Sequence, residues 1–255
     1  MGRLKLKPIA QRIVSLAAQV QPLRMALVVC CELRPLGPGG AHPYDRAHGV
    51  RTGRSVPGYL LNPGDPWDSP TTAYVPAQPS VVRSALAMIP EPQQCHFLDI
   101  GCGKGRPLLV ATEFDFRAIT GIEFSRPLAW IARRNAARFA RAHPHRTGIE
   151  VVTGDALDYE LPKDRLVVFL YNPFGRPLIA RLLANIEISL RENPRELYIV
   201  YYNPIWADVF DASARLERRY AARLPFDPGE IGFGQDTSDT VVIWQNRGNP
   251  HPRPP

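Results

Sequence analysis

The chain has 255 residues, 45% of them apolar and 22% charged, a composition ordinary for a soluble globular protein with one large core. Its formal net charge of +7 comes mainly from arginines spread along the chain, which excludes a concentrated lysine tract but leaves an acidic partner open. The cysteines, Cys30, Cys31, Cys95 and Cys102, form no C-x-x-C motif and no Cys/His pair at metal spacing. We therefore expect no metal site, buried thiols at Cys95 and Cys102, and a reduced, cytoplasmic setting.

The first 31 residues are basic and contain no acid. Their apolar stretch is interrupted by Gln, Arg and Pro22, so we expect no integral membrane segment, and the features of a secretory signal are missing. A helix packed on the domain, a poorly ordered leader, an organelle transit peptide and a membrane-surface helix all remain open.

Residues 35–80 are rich in Pro, Gly, Ser, Thr and Asp and predict an extended, loop-rich arm. Such a long irregular stretch is uncommon in a compact domain unless it forms a functional lid or is disordered. We expect an N-terminal helix and loop-rich arm or lid at 1–79, a main domain at 80–246 and a disordered tail at 247–255.

From residue 80 onward, strand and helix signals alternate. Helical patterns cover 81–89, 106–114, 126–139 and 174–190, with Ser125 suited to cap the third helix, and strand-like runs cover 95–100, 117–123, 149–154, 165–171, 197–202 and 237–246. Residues 212–226 are compatible with either state. The alternation predicts a mostly parallel sheet with helices on both faces, in which ligands bind beyond the carboxyl ends of the strands.

The strongest motif is FLDIGCGKGR at 97–106, in which a strand enters a glycine-rich turn and then a helix. Glycines let a ligand lie against the backbone, beside the free N–H groups of a helix N-terminus. The spacing is G-x-G-x-G with Arg106 in sixth place, so the dinucleotide fingerprint fails. Asp99 precedes the first glycine by two residues and would repel a pyrophosphate. A cationic ligand such as S-adenosylmethionine is favoured over NAD.

Two more carboxylates follow predicted strands. Glu123 ends the second strand, where a carboxylate can accept the hydrogens of both ribose hydroxyls; the alternative is a solvated loop glutamate. Asp155 follows the third strand and could bind the amino group of adenine or simply cap a helix.

The fourth and fifth strands end in the same tripeptide, Tyr171-Asn172-Pro173 and Tyr202-Asn203-Pro204. A following proline predicts extended backbone at each asparagine. The two corners either lie at the rim of one site, where the asparagines could orient a polar nitrogen, or merely terminate strands.

As a set, these motifs resemble those of the class I S-adenosylmethionine-dependent methyltransferases over roughly residues 80–245. FLDIGCGKGR is similar to their first motif, GIEFS to the acidic motif, GDALDY to the adenine motif and LYNPF to the fourth-strand motif. The resemblance implies a Rossmann-like, seven-stranded α/β sheet with an antiparallel last strand. It also implies S-adenosyl-L-methionine as cofactor, bound through Asp99, Gly101, Cys102, Gly103, Glu123, Asp155 and Asn172.

A narrower resemblance reaches into the arm. AYVPAQPSVVRSALAMIP, at 73–90, is similar to a segment of the small lysine methyltransferases that act on mitochondrial carrier and ATP-synthase subunits, and Dot1-like methyltransferases also place an N-terminal lid before a D-x-G-x-G loop. This implies that Tyr74 and Pro76 lie near the cofactor. A proline-rich connector capped by Ser80 is the alternative.

LYNPF also resembles the N-P-P-[YF] motif of amino-methyltransferases, although this chain has one proline in place of two. The resemblance implies that Asn172, with Tyr171 beside it, binds the target nitrogen. The sequence thus predicts methyl transfer to a nitrogen of a protein side chain. A nucleic-acid acceptor, a small-molecule acceptor and a non-catalytic nucleotide-binding protein are the alternatives.

Overall fold

The structure is a computed structural model and describes residues 21–33, 41–61, 73–234 and 236–248. The basic leader up to residue 20, the middle of the arm at 62–72 and most of the predicted tail, at 249–255, lie outside the described residues. In the described ranges, no helix has both the length and the apolar character needed to cross a membrane.

Strands and helices alternate through most of the described chain. Seven strands are present in the described ranges: β1 (Cys95–Ile100), β2 (Ala118–Glu123), β3 (Ile149–Thr153), β4 (Arg165–Tyr171), β5 (Leu197–Tyr202), β6 (Leu216–Pro225) and β7 (Ser238–Asn246). The helices there are α1 (Gln21–Leu33), α2 (Pro43–His48), α3 (Pro79–Leu86), α4 (Arg106–Ala111), α5 (Arg126–Ala142), α6 (Arg176–Glu192) and α7 (Ala207–Asp211).

The strands form one sheet in the order β3-β2-β1-β4-β5-β7-β6. Strands β1 to β5 are parallel to their neighbours, whereas β7 is antiparallel to both β5 and β6. The strand order reverses between β1 and β4, which opens a crevice at their carboxyl ends. The predicted fold class, a Rossmann-like, seven-stranded and mostly parallel sheet with an antiparallel last strand, is therefore confirmed.

The core has two layers, one on each face of the sheet. Phe97 and Phe169 face the layer formed by α3, α4 and α5, and Leu98 and Val168 face the layer that contains α6 and α7. Because both faces are covered, the central strands are mostly apolar on both sides rather than alternating, and β1 departs from this pattern at His96 and Asp99. Because these apolar runs are easy to delimit in the sequence, β1, β4 and β5 begin and end at the residues predicted for them.

Other elements differ from the predicted ones. Residues 216–225 form a strand because β7 pairs with them in an antiparallel ladder, which is interrupted by one register shift between Arg218 and Tyr220. Ser125 precedes α5, but its side chain makes no capping bond. Ser80 lies inside α3 and its hydroxyl donates to Glu230 Oε2 at 2.5 Å instead of capping the helix.

The described parts of the arm are packed against the glycine turn rather than extended. Lys104 and Arg106 are both 0% exposed, although they are cations. Lys104 Nζ donates to the carbonyl oxygens of Gly53 at 2.8 Å and Arg54 at 2.9 Å. Arg106 donates to Thr52 Oγ1 at 2.6 Å and to the Ala77 carbonyl oxygen at 2.9 Å. The arm thereby provides hydrogen-bond acceptors for two buried cations of the turn, and Arg106 Nη2 also lies 3.6 Å from Asp45 Oδ1 of the arm.

Helix α1 packs against α5 through apolar contacts. Val28 is fully buried in a cluster with Leu128 and Ile131 of α5. In the described range 21–33 the chain is thus a helix that packs on α5.

Candidate functional site

A cavity of about 240 Å³ lies at the carboxyl ends of β1, β2 and β4, where the strand order reverses. Its wall is mainly apolar. Eight of the predicted site residues line it: Tyr74, Asp99, Gly101, Cys102, Gly103, Glu123, Asp155 and Tyr171. Asn172 and Pro76 are not part of this wall. The structure thus brings these eight residues together from five separate segments of the chain.

The turn after β1 requires its glycines. Gly101 and Gly103 have φ angles of +75° and +56°, in the left-handed region that side chains disfavour. A Cβ atom at Gly101 would lie 2.9 Å from Pro173 Cβ, and one at Gly103 would overlap the ring of Tyr74. The tyrosine ring lies on the glycine, and its hydroxyl donates to the Thr52 carbonyl oxygen at 2.6 Å. Tyr74 therefore closes the turn from the arm side.

Glu123 is buried rather than a solvated loop residue, since only 8% of it is exposed. Its Oε2 accepts the Gly103 N–H at 2.8 Å and its Oε1 accepts the Ser125 N–H at 2.7 Å. Burial raises the pKa of the carboxyl to about 7, although the two N–H groups act in the opposite direction. A carboxylate oxygen can accept more than one hydrogen bond, so capacity remains for hydroxyl groups of a ligand.

Asp99 is the most unusual polar group on the wall. It is 2% exposed, and its Oδ2 has no hydrogen-bond partner among the described residues. Burial, and secondly the neighbouring Glu123, raise the pKa of this carboxyl well above its ordinary value. A buried carboxylate without a partner is costly, and a cationic ligand group would remove that cost.

Cys102 and Asp155 have simpler environments. Burial raises the pKa of the Cys102 thiol well above its ordinary value, so this residue offers backbone rather than a reactive thiolate. Cys95 is also a buried free thiol, as expected. Asp155 is exposed at the mouth, and its Oδ1 accepts the Leu157 N–H at 2.9 Å. No helix follows it, so the helix-cap alternative is wrong.

The prediction of extended backbone at the two Tyr-Asn-Pro corners was wrong. Asn172 and Asn203 have φ angles of +44° and +50°. A following proline disfavours the right-handed region, and asparagine tolerates the left-handed one better than most residues do. Both corners therefore turn sharply at the asparagine.

The side chains at these corners point to different places. Tyr171 lies on the cavity wall, whereas Asn172 Oδ1 accepts a hydrogen bond from the Tyr201 hydroxyl at 2.9 Å. Asn203 is exposed and does not line the cavity. The tyrosine of the first corner is thus the member that faces the site directly.

Pro173 and Phe174 of the LYNPF motif continue the wall beyond Tyr171. Three further wall residues were not singled out from the sequence: Leu178, and Phe124 and Val75, which are each 49% exposed at the cavity. The docking of the arm could have been inferred from Lys104 and Arg106. Two cations within and directly after a glycine-rich turn need buried acceptors, and the arm provides them. In the described part of the chain, no group of three or more His, Cys, Asp or Glu residues could hold a metal ion.

No protein-family profile matches this chain, and no curated protein matches it in sequence. Structures with a similar fold include an RNA methyltransferase from Salinibacter ruber in complex with S-adenosyl-L-homocysteine, with 23% identity over 71% of this chain and 100% of that one and a TM-score of 0.45. An O-methyltransferase from Bacillus cereus matches with 16% identity over 67% and 82% of the two chains and a TM-score of 0.49. Magnesium protoporphyrin IX methyltransferase from Synechocystis PCC 6803 matches with 14% identity over 66% and 76% and a TM-score of 0.46.

Proposed function

We propose that this protein is an S-adenosylmethionine-dependent methyltransferase that transfers the methyl group to a nitrogen atom. The observation that carries the proposal is the buried Asp99 carboxylate, whose Oδ2 has no partner in the described residues, beside Glu123 in one cavity at the carboxyl ends of β1 and β2. Asp99 suits the ammonium group of the cofactor, and Glu123 suits its ribose hydroxyls.

The remaining cofactor residues have supporting roles in this proposal. The turn at Gly101 and Gly103 lets a ligand approach the backbone, Asp155 offers a carboxylate to the adenine amino group, and Tyr74 covers the turn from the arm. When bound, the cofactor supplies the electrophilic methyl group. The protein then has mainly to align donor and acceptor and to exclude water.

The acceptor end of the cavity is formed by Tyr171, Pro173, Phe174 and Leu178. This wall is apolar and aromatic, so it favours an uncharged amine over an ammonium ion. Asn172 is the further candidate for binding the target nitrogen. The Tyr201 hydroxyl donates to its Oδ1 at 2.9 Å, which fixes the orientation of this amide next to Tyr171 and Pro173 of the wall.

We propose a protein side chain as the acceptor. Two features support this choice: the segment 73–78 packs beside the cavity, as the resemblance to lysine methyltransferases implies, and the apolar wall suits the methylene stem of a lysine.

A nucleic-acid acceptor is the second candidate, because α5 carries a basic face. Arg126, Trp130, Arg134 and Arg138 recur every four residues and lie on one exposed side of this helix. The helix contains no acid, and Arg134 and Arg138 form no ion pair within the described ranges. The Arg134 guanidinium lies 4.6 Å from the centre of the Trp130 ring. Arginines and exposed aromatics in one stripe suit a single-stranded nucleic acid.

The first experiment is calorimetric titration with S-adenosylmethionine. Absence of binding up to millimolar concentrations would contradict the proposed function. The second uses S-adenosylmethionine with a tritiated methyl group and a lysate of cells that lack the protein. Protease-sensitive label supports a protein acceptor, and ribonuclease-sensitive label supports RNA.

A pair of variants then tests the basic face. Arg134→Glu with Arg138→Glu should lower RNA labelling at least tenfold while leaving cofactor affinity unchanged, because each charge reversal removes a phosphate contact. Arg181→Glu with Arg191→Glu, on α6, is the matched control for the change in net charge.

A further inference from the structure

The tyrosines of the two Tyr-Asn-Pro corners meet on one face of the sheet. Tyr171 ends β4 and Tyr202 ends β5, and the two residues are in register. Their ring centres are 4.3 Å apart and the ring planes are inclined by 50°. Tyr171 lies on the cavity wall, whereas Tyr202 is fully buried. The buried tyrosine of the second corner, Tyr202, therefore packs against the tyrosine of the first corner, Tyr171.

The hydroxyl of Tyr202 is fixed by two hydrogen bonds. It donates to Asp239 Oδ2 at 2.5 Å and accepts the backbone N–H of Gln78 at 3.3 Å. Asp239 belongs to the antiparallel strand β7, and Gln78 ends the arm immediately before α3. One hydroxyl thus joins three elements that are distant in sequence. The other charged groups near Asp239 are Asp236 and Arg223.

We propose that Tyr202 and Asp239 are positioning residues for methyl transfer, which hold the ring of Tyr171 in place on the acceptor side of the cavity. The inference rests on the proposed methyltransferase function and deepens it. A tyrosine at a strand end can rotate about two bonds, and the ring of Tyr202 packs against Tyr171 and restricts that rotation. The hydrogen bonds of the Tyr202 hydroxyl fix the position of that supporting ring in addition to its core packing. Small displacements of an aligned group have large effects on a displacement reaction.

Three substitutions separate the parts of this contact. Asp239→Ala removes the hydrogen-bond acceptor, Tyr202→Phe removes the hydroxyl but keeps the ring, and Asp239→Asn retains an oxygen that the hydroxyl can use. The chain offers a closely matched control in Tyr198→Phe. Tyr198 lies at the start of the same strand, donates to Glu196 Oε1 at 2.7 Å and accepts from the Gln245 amide at 3.0 Å.

Turnover is the first measurement, followed as tritium transfer from labelled S-adenosylmethionine into the lysate. We expect Asp239→Ala and Tyr202→Phe to lower the rate about tenfold each, with no further loss when combined, because they break the same contact. Asp239→Asn should restore most of the rate. Calorimetry should give cofactor affinities within about twofold of wild type, since neither residue lines the cavity. Tyr198→Phe should cost stability but not turnover.

A second measurement needs no acceptor. In protein with ¹³C-labelled tyrosine rings, the signal of Tyr171 is assigned by its loss in Tyr171→Phe. That signal should move in Asp239→Ala and Tyr202→Phe and stay in place in Tyr198→Phe and Asp239→Asn. Normal turnover with an unmoved Tyr171 signal in Asp239→Ala would overturn the positioning role. Failure of wild type to bind S-adenosylmethionine would remove the proposed function, and this role with it, and calorimetry detects that case separately.

Discussion

Replacing Gly103 with alanine should destabilise the fold in two ways, through backbone strain and through a clash with the Tyr74 ring. Gly103 has a φ of +56°, and a Cβ atom there would overlap the Tyr74 ring. The left-handed backbone costs an alanine about 1–2 kcal/mol. Moving the ring would break its hydrogen bond to Thr52, worth about 1 kcal/mol, and remove ring packing of similar size. We expect a total loss of about 3–4 kcal/mol in the free energy of unfolding.

Urea unfolding measures this loss, and two controls divide it. Gly49 has a φ of +64° with no atom within 4 Å of a Cβ, so Gly49→Ala should show the backbone cost alone, about 1–2 kcal/mol. In a Tyr74→Ala background, Gly103→Ala should cost no more than Gly49→Ala does. An equal cost of Gly103→Ala in both backgrounds would refute the role given to Tyr74.

Three further predictions concern other contacts. Affinity for S-adenosylmethionine should fall as the pH drops below about 7, by up to about tenfold per pH unit, because protonation of Glu123, whose folded pKa is raised to about 7, weakens it as an acceptor for the ribose hydroxyls. Calorimetry on Glu123→Gln should find that pH dependence reduced. Asn172→Gly should lower turnover at least tenfold without changing cofactor affinity, and Asn203→Gly should lower turnover less. Equal stability losses with normal turnover in both variants would mean that the two corners have only a structural role. Arg106→Met should cost about 3 kcal/mol or more in urea unfolding, because it removes two buried hydrogen bonds and leaves the buried Asp45 carboxylate without the cation 3.6 Å away; a loss below about 1 kcal/mol would contradict this.

The sheet was predictable because its signals are local. Strands β1, β4 and β5 are continuous apolar runs, and the polar residues that follow them mark their carboxyl ends. Asp99 and Glu123 could be assigned to one site because neighbouring parallel strands place their ends together.

The remaining features depend on contacts between distant residues. Nothing near Asp45 or Thr52 in sequence shows that Arg106 binds them. At the first Tyr-Asn-Pro corner, the preference of a residue before proline for extended backbone led to the wrong prediction for Asn172. The side chain of Asn172 accepts a hydrogen bond from Tyr201 on the neighbouring strand, and the sequence gives no sign of this contact. A preference of this kind is weaker than a buried hydrogen bond between two strands.

The burial of Lys104 has a consequence for synthesis of the chain. Its ammonium group is satisfied by carbonyl oxygens of residues made 51 and 50 positions earlier. At a synthesis rate of about 5–20 residues per second, the arm leaves the ribosome seconds before the turn that it must meet. During that interval the carbonyl groups of Gly53 and Arg54 have no ammonium group to bind, so this part of the arm can dock only after residue 104 has emerged. The cavity itself forms later still, because its wall extends to Leu178.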